Sequence, residues 1–368
     1  MRIDASAVHA LLDRARREVD AGLLPSCQIA LAFEGELVAS ETFGDAGDDT
    51  RYVVYSATKA FVAGAMWALI GDGLIDTQTP VVTYVPEFGT NGKDVVTVEH
   101  VMLHTAGFPQ APLAVLEGDT SAGRGAAFAR WRLDWEPGRA YQYHPSSAHW
   151  VLAEIIERVT GEDFRDVVEQ RVTQPAGLPR VLGDVAGSVA ELVTVGEPAP
   201  PDELEAAFGV RELDVGEVTT EALLSFNEPA IRRVGMPGGG GVMRARDLAL
   251  FYQAVLHNPG EMWKPDVLED ARTNVRNRLP DRITGVPANR TLGLIQAGDD
   301  GFSHMRGLGR TASPATIGHN GARGQIAWGD PVSGLSLGYC TNGLDEHAAR
   351  EPRRTTAISS LAAVCSTT

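Results

Sequence analysis

The chain has 368 residues, enough for one large domain or two closely packed ones with a buried core and a pocket. Its 48 acidic against 32 basic residues give a formal charge of −16, which argues against nucleic acid or an anionic membrane surface as a partner. Apolar residues at 43% and charged residues at 22% are globular values and exclude disorder of the chain as a whole.

The first 22 residues carry Val8, Leu11, Leu12 and Ala15 at helical spacing with charges between them, which predicts an amphipathic helix and not an export signal. An intracellular, cytoplasmic protein is expected. Residues 27–44 read as two β-rich runs around the turn Glu34-Gly35, a hairpin signal. The apolar stretch from Ala60 stops at Gly71, short of the roughly 20 residues of a membrane span. From about residue 57 to 255 helical periodicity dominates, most clearly over 151–161 and 245–257. The acidic stretch 196–217 is expected to be a solvated surface excursion. A second hairpin is predicted around Asp330 to Gly334, and a closing helix over 350–364. The β signal therefore sits at the two ends of the chain, with a helical insertion between them. Cys27, Cys340 and Cys365 are widely spaced in apolar surroundings and read as reduced, buried residues.

Basic residues are split unevenly, three lysines against 29 arginines, so a lysine at a meaningful spacing stands out. Lys59 follows Ser56 by three positions at the start of the apolar helix. Residues i and i+3 share a helix face, so the amine can reach the hydroxyl, and the helix N-terminus favours developing negative charge. A lysine beside Phe61, Val62 and Trp67 can lose its proton through desolvation and act as a base, which an arginine cannot do. Tyr143 follows a Pro137-Gly138 turn just before the helix at 147, a way of presenting a phenol to a cleft. Gly318-His319-Asn320-Gly321-Ala322 opens the second hairpin, where glycines allow close approach and backbone N–H groups can face an oxyanion.

In this order the three elements resemble the serine β-lactamase-like, penicillin-recognising hydrolases: Ser-x-x-Lys, then Tyr-x-Asn, then Lys-Thr-Gly or its His-x-Gly variant. Residues 97–108, Pro137 through Glu157, and Gly238 to Met243 with Asp247-Leu248 are similar to further family segments. The likeness runs from about Val8 to Asn342 and is greatest to the class C β-lactamase-like branch, particularly the family VIII carboxylesterases. It implies an α+β fold: an antiparallel sheet flanked by helices, with an all-α insertion domain. Residues 1–58 with about 230–368 would form the sheet domain, and about 59–229 the helical one. It also implies Ser56 as acylated nucleophile, Lys59 and Tyr143 as base system, and the backbone N–H groups of Ser56 and Ala322, on a strand after Gly321, as oxyanion hole. His319, Asn320 and Gly321 would bind substrate.

Two departures accompany the resemblance. Pro145 stands at the asparagine position of Tyr-x-Asn and lacks the amide that would bond the lysine or a substrate carbonyl. His319 is a weaker cation than the lysine it replaces, so a substrate carboxylate would be held less firmly. Both weigh on β-lactam or peptide recognition, so a carboxylesterase for small or medium acyl esters is expected. β-Lactamase, D-aminopeptidase, amidase or acyltransferase chemistry on the same machinery remains an alternative, as does a weakly catalytic binding homologue. The loop-rich segment 109–135 is expected to wall the acyl pocket, with Trp131 and Trp135 lining it or packing among the helices. No cofactor or metal is expected. His100-Val-Met-Leu-His104 lacks the glutamate of a zinc helix, Asp94 spoils a phosphate loop, and no Gly-x-Ser-x-Gly elbow occurs.

Overall fold

Residues 26–44 fold as the hairpin that two β-rich runs around Glu34-Gly35 predict, in a computed structural model that describes residues 1–367. Strands β1 (Ser26–Phe33) and β2 (Glu36–Gly44) are joined by Glu34 at φ 51° and Gly35 at φ 85°. Two left-handed residues make the tight turn whose twist suits a hairpin. Farther along, Ile295–Gln296 (β3), Ile317–Gly318 (β4), Ile326–Gly329 (β5) and Leu335–Thr341 (β6) complete one antiparallel sheet in the order β2-β1-β6-β5-β4-β3. The two predicted hairpins meet at its centre, where β1 pairs with β6.

Alternation along β1 decides which layer covers which face. Ile29 and Leu31 enter a core with Trp328, Leu337 and Tyr339, roofed by the terminal helices α1 (Ala5–Asp20) and α5 (Arg350–Ala362). Ala30 and Ala32 face the opposite way, toward α4 (Ala245–His257). Small residues are needed on this second face because α4 starts against it. A Cβ on Gly338 would meet Ala245 O at 2.0 Å.

The second core continues into the helical part of the chain. Helix α2 (Thr58–Gly71) is buried on every side over most of its length, and α3 (Ser147–Thr160) packs against it. This explains why the stretch after Ser56 is apolar all round and not amphipathic. Far from α2, Arg354 of α5 bonds Glu18 of α1 at 2.6 Å and Asp345 at 2.6 Å, all three side chains nearly excluded from solvent. That network ties the two terminal helices to the short strand Gly343–Asp345 that follows β6 and pairs with Val193–Val195.

Most of the stretch 196–217 is exposed, as expected of a surface excursion, but it holds a helix, Pro201–Phe208, and its last residue, Glu217, is half-buried. Among the described residues no helix is long and apolar enough to cross a membrane. The three cysteines are free and buried.

Candidate active site

Tyr52–Val53 pairs with Val242–Met243, and the chain then turns through Tyr55–Ala57 into α2. Tyr55 takes a left-handed conformation, φ 45°, which costs a non-glycine residue on the order of 1–3 kcal/mol. Its surroundings hold it there: Thr58 Oγ1 donates to Tyr55 O at 2.5 Å, and its ring packs edge-on against Phe226. The strained residue delivers Ser56, half-exposed among buried neighbours, to the mouth of α2.

Lys59 lies one turn farther in and is fully buried. Its Nζ is 3.3 Å from Ser56 Oγ, 2.6 Å from Pro145 O and 2.5 Å from Gly238 O. Pro145, which lacks the amide side chain, thus meets the lysine through its main-chain carbonyl. Gly238 is required by the same approach, since a Cβ there would sit 3.0 Å from Pro145 O and 3.3 Å from Lys59 Nζ. Burial, with the Arg290 guanidinium adding to it and Glu217 opposing it, brings the Lys59 amine down to about 7.

Tyr143 stands over this pair, its ring 5.1 Å from Lys59 Nζ and its hydroxyl beside the Ser56 hydroxyl. That hydroxyl is buried and makes no well-aligned hydrogen bond among the described residues. Desolvation raises the phenol above its ordinary range, against the pull of Ser56 and Arg290. His144 pins the backbone behind it. Its Nδ1 bonds Gln142 O at 2.7 Å, its Nε2 accepts from Phe108 N–H at 3.2 Å, and its own N–H donates to His104 Nδ1 at 3.1 Å. Arg290, itself buried, places its guanidinium 5.2 Å from the Tyr143 ring and donates to Tyr141 Oη at 3.0 Å.

His319 is buried with its ring 5.9 Å from Tyr143, and burial beside Arg290 and Lys59 drives its pKa well below the usual imidazole range. It is a neutral group at pH 7, not the weak cation expected. Asn320 also departs from expectation. Its amide bonds Gly307 O at 2.6 Å and Ala327 N–H at 3.0 Å, fastening the hairpin entry, and it does not line the cavity beside Ser56. Gly321 presses against the strand that leads to Ser56, where a Cβ would meet Val54 O at 2.0 Å. Ala322 follows in a single helical turn, not on a strand, and lines the same cavity as Ser56.

That cavity measures about 150 Å³ and is walled by Leu113, Val115, Leu223, Phe226 and Met236. Segment 109–135 therefore contributes Leu113 and Val115, while neither tryptophan reaches the cavity. Trp131 is buried between Phe108 and Phe128 with its indole donating to Pro112 O, and Trp135 packs on His144 and under Arg282. Glu217 does line it, accepting from Ser146 Oγ at 2.7 Å. Burial raises the Glu217 carboxyl above its ordinary value, against Ser146 and Lys59. Glu217 and Arg290 are the charged site residues that sequence reasoning missed, beside the apolar wall of Leu223, Phe226 and Met236. Each comes from a loop remote in sequence, and neither carries a local motif.

Comparison with known proteins bears on the family and the fold. A family model described as Beta-lactamase matches residues 12–362. Esterase/beta-lactamase LipL of Mycobacterium tuberculosis is 30% identical over 328 residues, covering 80% of this chain and 70% of that protein. Esterase EstB of Burkholderia gladioli is 27% identical over 299 residues, 73% of each chain. A penicillin-binding protein homologue from Caulobacter crescentus superposes with a TM-score of 0.80 over 98% of both chains at 23% identity.

Proposed function

The chain belongs to the Beta-lactamase family and is a serine hydrolase, and from that premise we propose that it is a carboxylesterase for small or medium acyl esters working through an acyl-enzyme on Ser56. The observation that carries this is the Lys59 amine, held against Ser56 Oγ by two carbonyls with its pKa brought to about 7. In this proposal the neutral amine takes the Ser56 proton, directly or through Tyr143, as the hydroxyl attacks the ester carbonyl. The Ser56 and Ala322 N–H groups receive the oxyanion, the alcohol leaves with the proton, and water then repeats the sequence on the acyl-enzyme.

Esters are favoured over β-lactams and D-alanyl peptides because the cavity offers no firm grip for a substrate carboxylate. His319 is neutral and Glu217 is acidic. Esterase EstB of Burkholderia gladioli, named for that activity alone, points the same way. The same proposal treats residues 1–58 with about 230–368 as a sheet domain and about 59–229 as a helical one, with Ser56 at their seam. It places the protein in the cytoplasm, with a small-molecule ester or amide as partner and neither nucleic acid nor membrane.

The test is a series of p-nitrophenyl esters of rising acyl length beside a chromogenic cephalosporin and D-alanyl p-nitroanilide, each repeated with Ser56→Ala. Ester hydrolysis that exceeds both other activities and vanishes in the variant is expected. Hydrolysis retained by Ser56→Ala overturns the proposal.

A further inference from the structure

We propose that the cavity beside Ser56 is a subsite for an acyl group bearing an ammonium, and that Glu217 is the carboxylate that receives it. The inference rests on the serine-esterase reading above and names the substrate class of that site.

Glu217 is the only charged side chain lining the cavity among the described residues, although the chain carries 29 arginines. One carboxylate oxygen accepts from Ser146 Oγ at 2.7 Å, and no ion pair to this carboxylate occurs among the described residues. A half-buried carboxylate without a paired cation is costly to keep, and a ligand cation relieves that cost.

The walls add a second observation. Tyr55 and Phe226 both line the cavity and pack edge to face with ring centres 5.8 Å apart. Aromatic faces attract quaternary and alkylated ammonium groups through their quadrupoles, while the aliphatic wall of Leu113, Val115, Leu223 and Met236 suits the methyl groups of such a cation. Lys59 does not compete for the subsite, because Ser56 Oγ and the Pro145 and Gly238 carbonyls already hold its amine. The overall charge of −16 favours the approach of a cationic substrate.

The test compares p-nitrophenyl 4-(trimethylammonio)butanoate with p-nitrophenyl 5,5-dimethylhexanoate, which has the same shape and no charge. The wild-type protein is expected to show kcat/KM about ten-fold higher for the cationic ester. That ratio should fall to about one in Glu217→Gln and below one in Glu217→Lys, whatever the absolute rates. A wild-type ratio at or below one, or a ratio unchanged in Glu217→Gln, overturns the subsite while leaving the esterase standing. If the wild-type protein leaves the neutral ester uncleaved, or Ser56→Ala cleaves it equally fast, the esterase proposal fails and the subsite falls with it.

Discussion

Lys59 Nζ lies 3.3 Å from Ser56 Oγ while its two other partners, the Pro145 and Gly238 carbonyls, only accept hydrogen bonds. A neutral amine has two N–H groups and one lone pair. With both N–H groups given to carbonyls, the lone pair is directed at the serine hydroxyl. Lys59→Arg is therefore expected to lose kcat for ester hydrolysis by at least about 10²-fold, as severely as Lys59→Ala, because a guanidinium does not accept the proton. Steady-state kinetics with p-nitrophenyl butyrate checks this, and substantial activity in Lys59→Arg contradicts the base role.

The pH profile follows from the same amine. Only its neutral form accepts a proton, and its pKa is about 7, so kcat/KM should rise from pH 6 to pH 8 with an apparent pKa near that value. The Tyr143 phenol stays protonated through this range because burial raises it further. Arg290 lowers the Lys59 pKa and Glu217 raises it. Arg290→Leu should move the rising limb to higher pH, and Glu217→Gln to lower pH. Shifts of opposite sign to these, measured on a neutral ester, contradict the electrostatic arrangement.

Tyr143 separates activity from stability. Its hydroxyl makes no well-aligned hydrogen bond among the described residues, so removing it abandons no partner. Tyr143→Phe is expected to keep the melting temperature within about 2 °C while kcat falls about 10²-fold. A variant that is equally active, or that melts far lower, assigns the hydroxyl a different part.

The terminal helices supply a prediction independent of the site. Arg354 serves both Glu18 and Asp345 in a nearly dry setting. Arg354→Ala takes one of two arginines from each of two buried carboxylates, leaving Glu18 with Arg14 and Asp345 with Arg350, and should cost about 1–3 kcal/mol in urea unfolding. A loss under about 1 kcal/mol means that the network relaxes into water instead.

Much of this arrangement was legible in the sequence wherever it depends on short-range rules. The two hairpins follow from β-rich runs on either side of turn residues, and Ser56 with Lys59 from their i, i+3 spacing ahead of an apolar helix. Where contacts join distant segments, the sequence was silent. Nothing near Glu217 tells that its acidic stretch folds back to Ser146, and the segment 109–135, expected to be loop-rich, holds a helix over Ser121–Arg130 whose end turns Trp131 to Phe128 while Leu113 and Val115 face the cavity. The pKa values belong to the same class, because His319 is neutral through burial and the charges of Arg290 and Lys59, which its own segment does not encode.

The most direct measurement is intact-protein and peptide mass spectrometry after treatment with a fluorophosphonate. One adduct should form, on the peptide that contains Ser56, with loss of esterase activity in step and no adduct in Ser56→Ala. An adduct on another residue, or full activity after complete labelling of Ser56, would contradict Ser56 as the nucleophile.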